Sequence, residues 1–173
     1  MNETLLTTPR FAVERREFPH PKAGVVRREL VVHPGAVVIL PILNDETAVL
    51  IRNYRFAVGS ELLELPAGTL EAGEEPIDCA ARELEEETGY AADRIEPLVT
   101  FYTSPGFTDE RMHAFVATRL TRTAQRLDAT EQIRAVTMPL ADTLAATRDG
   151  RIVDGKTIAT LHVYHYGKAT AGR

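Results

Sequence analysis

An α/β fold, a mixed β-sheet sandwiched by helices with a short N-terminal β segment, is what this 173-residue chain predicts. Three features predict it. Short apolar, β-branched runs recur between turns; two or three helical stretches are interleaved with them; and neighbouring runs are joined closely enough to make a hairpin or two. A purely parallel doubly wound sheet would contain no hairpin, so the sheet is expected to be mixed. The length suits one domain with a full core, and 44% apolar with 26% charged residues is ordinary for a globular chain.

In chain order, residues 11–28 mix charged and apolar types and are broken by Pro19, Pro21 and Gly24, which suits two edge strands and a turn. Residues 30–43, LVVHPGAVVILPIL, are too apolar for a half-exposed strand. They are also too punctuated by Pro34, Gly35 and Pro41 for a helix, and so read as buried sheet. Asn44, Asp45 and Glu46 make a turn, and 48–54 supplies a second strand that forms a hairpin with the first. The segment ELLELPAG, 61–68, is a strand delivered into a glycine-rich turn, with Pro66 marking its end.

A helix is expected over 76–88. Pro76 suits the first turn, where its missing N–H costs nothing, and Gly89 stands where a left-handed cap belongs. Beyond it, 95–103 and 111–118 read as hairpin partners across the loop SPGFTDE. Residues 131–138 form a further strand, and 139–148 and 156–166 form helices approached through turn residues. No internal repeat or low-complexity segment is present.

The net charge of −5 argues against a general nucleic-acid or membrane-surface binder, which needs a cationic face. The single cysteine, Cys79, has no partner for an internal disulfide and reads as a small packed residue. The first residues lack an apolar stretch of signal-peptide length, and no run approaches a membrane span, so a cytoplasmic location is expected. The five histidines form no metal-type pattern and read as packing or surface residues.

The helix over 76–88 carries a crowded acidic stripe. At about 100° per residue with Glu83 at zero, Glu86 falls near −60° and Glu87 near +40°. Ile77, Ala80, Ala81, Leu84 and Thr88 fall between about 60° and 160°, giving an oily face beside an acidic one. Like charges at this spacing repel and raise one another's pKa, and a divalent cation removes the repulsion. Oxygen-only ligands suit Mg²⁺ or Mn²⁺ rather than zinc. A bare acidic run is more often a solvated helix face. Here the spacing overturns that reading.

Gly68, Glu74, Arg82, Glu83, Leu84, Glu86, Glu87, Gly89 and Tyr90 follow the pattern G-x5-E-x7-R-E-U-x-E-E-x-G-U, with U bulky and apolar. Its fixed letters would recur by chance on the order of once in 10⁸ start positions. The chain therefore resembles the Nudix hydrolases, with every fixed position of their motif present. The resemblance implies an α/β/α sandwich and hydrolysis of a nucleoside diphosphate linked to another group. It also implies Mg²⁺, with Mn²⁺ as a substitute, held by Glu83, Glu86, Glu87 and the backbone carbonyl of Ala67. Arg82 is expected to position the box carboxylates by ion pairing, and Glu74 to anchor the loop.

The flanking segments, IRNYRFAVGSELLELPAG before the motif and FYTSPGFTDE after it, are similar to the ADP-ribose pyrophosphatase subgroup. Pro105 lies sixteen residues after Gly89, and a DGKT segment spans 154–157 near the last helix. Asn53 departs from the glutamine common in that subgroup. The resemblance makes Arg55 a contact to substrate, since guanidinium can grip phosphate bidentately or stack on a base; a surface ion-pairing arginine is the alternative. Glu110 is a candidate acceptor for ribose hydroxyls, or an ordinary loop glutamate. Glu131 matches a loop glutamate that serves as general base on the attacking water.

ADP-ribose is the leading substrate, giving AMP and ribose 5-phosphate. GDP-mannose is the nearest rival, and a non-catalytic nucleotide sensor is the alternative of a different class. Residues 1–32 are too few to bury a core alone. In the resembling subgroup such a segment packs against a second subunit, so a homodimer with a Nudix domain over 33–173 is expected. Phe11 or Phe18 is the aromatic expected to stack on a base from the partner chain.

Overall fold

A computed structural model describes residues 2–44 and 46–171 of the chain, so Asp45 of the expected turn lies outside the described residues. Its first strands, β1 (Glu3–Thr7), β2 (Ala12–His20) and β3 (Gly24–Val32), form an antiparallel sheet in the order β1-β2-β3. Thr8 closes the first turn: its hydroxyl donates to Phe11 O and accepts the N–H groups of Arg10 and Phe11. Arg15 bridges Glu3 and Glu29 on its two neighbouring strands. Two strands and a turn are expected here, and the structure adds β1. All five residues of β1 are exposed, so no burial alternation marks it as a strand.

The rest of the chain builds β4 (Ala36–Leu43), β5 (Thr47–Arg55), β6 (Ser60–Glu64), β7 (Ala67–Thr69) and the helix α1 (Pro76–Thr88). These are followed by β8 (Tyr90–Tyr102), β9 (Arg111–Arg122), β10 (Ile133–Pro139), α2 (Leu140–Arg148) and α3 (Gly155–Ala171). The strands form a seven-stranded sheet in the order β10-β5-β4-β9-β8, with β6 paired to β5 and β7 to β4. It is mixed, since β4 and β9 run parallel while β8 and β9, and β5 and β10, are antiparallel.

Successive side chains of a strand point to opposite faces, and β4 uses both. Val38, Leu40 and Ile42 pack with Ala146 of α2 and Leu161 of α3. Val37 and Ile39 pack with Cys79, Ala80 and Leu84 of α1. Helices therefore cover both faces of the sheet, which is the expected α/β/α sandwich, and β4 is buried along nearly its whole length.

Several expected boundaries are corrected. Residues 30–43 are not one buried strand. Pro34, which has no N–H for a ladder, and Gly35, at φ 103°, separate the half-buried end of β3 from β4. At that break Val31 bonds the loop after β8 instead, its N–H reaching Phe107 O and its carbonyl accepting from Asp109 N. Residues 61–68 likewise divide at Pro66: β6 stays with β5, and β7 crosses to β4. β8 starts at Tyr90 rather than 95, because Gly89 turns the chain straight from α1 into the sheet. The β4–β5 hairpin is present but short, with Ile42 opposite Ala48 and Leu43 opposite Thr47.

The strand expected over 131–138 begins at Ile133 and leaves Glu131 in the loop before it. That loop, 123–132, is fastened at both ends. Thr123 N–H donates to Gly89 O (2.8 Å), Gln125 Nε2 to Glu87 O (2.6 Å) and Arg126 N–H to Glu86 O (3.0 Å). These bonds satisfy carbonyls that the end of α1 would leave unpaired. At the far end Gln132 O accepts from Tyr54 N–H (3.2 Å).

Candidate active site

The buried residues of α1 are Cys79, Ala80, Leu84, Glu87 and Thr88. On the wheel used above they span from about −40° to about 140°, so Glu87 sits at the centre of the buried face. This corrects the expected oily face: Ile77 is 45% exposed and Ala81 is also exposed. A carboxylate can be buried where a polar partner meets it. Ala67 N–H supplies one, donating to Glu87 Oε2 at 2.8 Å.

Gly68 lets Glu83 approach the same strand. A Cβ there would stand 1.8 Å from Glu83 Cδ, so only glycine accommodates this carboxylate. Gly89 ends the helix at φ 70°, its N–H donating to Glu85 O (2.9 Å). Arg82 forks onto Glu74, Nε to Oε1 (2.9 Å) and Nη2 to Oε2 (3.1 Å). Its Nη1 donates to Glu83 Oε1 (2.7 Å) and Glu86 Oε2 (3.1 Å). Glu74 Oε2 also accepts Glu71 N–H (2.9 Å), closing the turn before the helix.

The Arg82 hydrogen bonds hold the Glu74 carboxyl well down, at about 2. Burial acts oppositely on Glu87, pushing it up to about 8, with Glu83 and Glu131 adding like-charge repulsion. Burial also raises Glu83, against the pull of Arg82 and with Glu86 and Glu131 reinforcing the rise. Burial raises the Cys79 thiol to about 12, so it is no nucleophile.

Stability of the metal-free protein should follow. A raised carboxyl favours folding below its ordinary value of 4.5, and that contribution is lost as pH rises through about 8. Glu74 works in a different window, contributing above 4.5 and losing its effect as pH falls through about 2. Thermal melts in a chelator should therefore show Tm falling from about pH 5 to about pH 9, with a divalent cation stabilising most at the alkaline end.

Glu83, Glu87, Asp128 and Glu131 line a cavity of about 670 Å³, together with Arg10 from the first turn. A second cavity, about 550 Å³, is lined by Phe101, Tyr102, Thr103, Glu110 and Lys156. The two adjoin at Arg55, Ala67, Gly68 and Thr69, which line both, and together they form one two-part cleft. Arg55 stands at the junction, with Nε donating to Glu64 Oε1 (2.8 Å) and Nη2 to Glu64 Oε2 (2.6 Å). That pair, aided by Glu87 and Asp154 at longer range, holds the Arg55 guanidinium above its usual pKa despite burial. At the far end Glu110 accepts a hydrogen bond from Thr103 Oγ1, and His33 Nε2 lies 3.8 Å from its other oxygen.

The structure thus brings Arg55, Ala67, Gly68, Glu83, Glu87, Glu110 and Glu131 onto one cleft. Glu86 lies outside its lining, one third exposed and held by Arg82. Among the described residues no three donors yet stand in a ligating cluster. The donor chemistry nevertheless fits a hard divalent cation: the candidate ligands are oxygens only, among them the carboxylates of the buried Glu87 and the partly buried Glu83, both with raised pKa values. Phe11 and Phe18 lie outside both cavities, whereas Tyr102 lines one. Tyr102 and Lys156 of the cleft, and the fully buried Glu64 behind Arg55, are residues not singled out from the sequence. Their signals were Tyr102 beside the SPGF loop and a lysine within DGKT.

A family model described as the NUDIX domain matches residues 32–161. The chain belongs to the NUDIX family. The chain is similar to the methanol dehydrogenase activator of Bacillus methanolicus, 41% identical over 143 residues, covering 82% of this chain and 77% of that protein. The ADP-ribose pyrophosphatase of Bacillus subtilis (strain 168) is 40% identical over 147 residues, covering 84% and 78%. The solved structure of an ADP compounds hydrolase superposes with a TM-score of 0.83 at 26% identity, covering 100% of this Nudix chain and 94% of its own.

Proposed function

We propose that this Nudix hydrolase cleaves the diphosphate linkage of ADP-ribose, giving AMP and ribose 5-phosphate. One observation carries the reading: two cavities adjoin at Arg55, with carboxylates lining one and Glu110, Tyr102 and Lys156 lining the other. A diphosphate joining two bulky arms needs such a three-part site.

Glu83, Glu86, Glu87 and the Ala67 carbonyl would hold divalent cations, with Mg²⁺ first and Mn²⁺ as a substitute. Bound there, the metal supplies charge neutralisation and lowers the pKa of water at the reacting phosphorus. Arg55 presents its end-on edge to a phosphoryl oxygen, because Glu64 occupies the Nε and Nη2 side of its fork. Glu131 takes a proton from the attacking water as the bond to the bridging oxygen breaks. In this structure one of its oxygens accepts Asp128 N–H (2.9 Å), a local bond that substrate entry can exchange. Arg82 keeps Glu83 and Glu86 oriented, and Glu110 accepts from ribose hydroxyls.

Incubation with ADP-ribose and Mg²⁺ beside a panel of nucleotide sugars, followed by chromatography, tests the reading. AMP is the expected product. Cleavage of GDP-mannose alone would move the substrate assignment, and binding of ADP-ribose with no cleavage would favour a sensor.

A cytoplasmic homodimer built through residues 1–32 belongs to the same proposal. The dimer is supported by Leu5 and Leu6, 41% and 52% exposed on the outermost strand β1. An exposed edge strand is a template for pairing with another chain. Light scattering should give twice the mass of one chain, and deletion of β1 should return it to one.

A further inference from the structure

The geometry points to Lys156 as a positioning residue that fixes the Arg55 guanidinium through the buried carboxylate of Glu64. Glu64 is fully buried, yet it meets two cations: the side-on edge of Arg55 and, at Oε2, Nζ of Lys156. Lys156 is itself held from the other side by Asp154 Oδ1 (2.9 Å), and its side chain is only 12% exposed. Asp154 is fixed in turn, accepting Thr157 N–H at the start of α3 (2.9 Å). Burial alone would push the Asp154 carboxyl up, but Lys156 and the Thr157 bonds hold it below its ordinary value. The Thr157 hydroxyl accepts Leu65 N–H (2.9 Å), tying α3 to the end of β6. Four charged groups, on β5, β6, α3 and the turn just before α3, thus form a linear chain of ion pairs that ends at Arg55.

Stability does not explain this arrangement, because buried ion pairs are often replaceable by apolar residues at no loss. Orientation does. The terminal torsion of a glutamate is broad, so a carboxylate held by one partner can turn about its own axis. In a fork-on-carboxylate pair the guanidinium follows that plane. Lys156 on Oε2 stops the rotation, and the free edge of Arg55 then faces one point of the cleft. This inference rests on the reading that Arg55 grips the substrate's diphosphate.

Lys156→Met keeps the side-chain length and removes the charge. KM for ADP-ribose should rise by about tenfold with kcat within about threefold of wild type. In an Arg55→Lys background, which has no fork to orient, the same change should add less than about twofold. Equal losses in both backgrounds would overturn the inference, since a merely structural lysine acts independently of Arg55.

A second readout needs no activity. The Arg55 Nε–H resonance in ¹⁵N spectra, identified by its loss in Arg55→Lys, should be resolved in wild type and broadened in Lys156→Met; an unchanged signal would overturn the inference. Should wild type cleave no nucleoside diphosphate derivative, the functional reading falls and this resonance alone decides the positioning role. Should Lys156→Met fail to fold, Asp154→Asn replaces it. Asparagine caps a helix as well as aspartate does, so the start of α3 is kept while one anchor of Lys156 is weakened. The same selective rise in KM is then expected, and its absence counts against the inference.

Discussion

Glu87→Gln is expected to lower kcat by about 10²–10³-fold while leaving the fold intact. Gln has the shape of the residue it replaces and can still accept Ala67 N–H, so the contact between α1 and β7 survives. What disappears is a negative charge that the metal-free protein holds at a cost, since burial pushes this carboxyl up to about 8. Above that pH the variant should therefore melt no lower than wild type in chelator, and its Tm should lose most of the alkaline decline. Activity that collapses while stability holds or improves is the mark of a group kept for chemistry. If turnover stayed within about threefold, a barrier change under about 1 kcal/mol, the ligand role of Glu87 would be wrong.

Gly68→Ala should cost about a hundredfold in kcat/KM through displacement of a neighbour. The new methyl would overlap Glu83 Cδ and both its carboxylate oxygens, the far end of a flexible side chain, with no backbone atom among those nearest contacts. Glu83 therefore swings aside and the sheet is left in place, so Tm should move by less than about 4 °C. The diagnostic comparison is with Glu83→Gln. If displacement is the cause, the two variants lose divalent-cation affinity together in calorimetry, and the double variant is little worse than either. A large fall in Tm with unaltered cation affinity would point instead to damage in β7.

The helix α1 was legible from sequence to the residue, because everything that defines it is local: Pro76 at the start, Gly89 at the cap, carboxylates three and four residues apart. Its rotation was not. Which side faces inward depends on Gly68 and on the Ala67 N–H, and these sit on a strand whose register no helical wheel contains. The same division runs through the cleft. Glu83, Glu87 and Glu131 could be named from spacing and resemblance, whereas Glu64 and Lys156 meet across 92 positions of chain. Only the meeting of the end of β6 with the start of α3, where Leu65 N–H donates to the Thr157 hydroxyl, brings them together. The strand β1 was missed for the opposite reason, being exposed throughout and so lacking the burial pattern by which strands are recognised.

The fastening of residues 123–132 sets how this site can change over time and across variants. Glu131 rides on a short span whose one foot is pinned to the backbone of Glu86 and Glu87 and whose other foot is pinned beside Arg55, at Tyr54. Glu131, the acidic helix α1 and the strand carrying Arg55 thus share one mechanical frame. Five residues between the pins reach at most about 18 Å of chain, so Glu131 can swing but cannot wander, and loop-closure entropy stays small. Insertions there would loosen timing before they weakened binding. Such a span is where a protein of this build would trade speed against the size of substrate it admits.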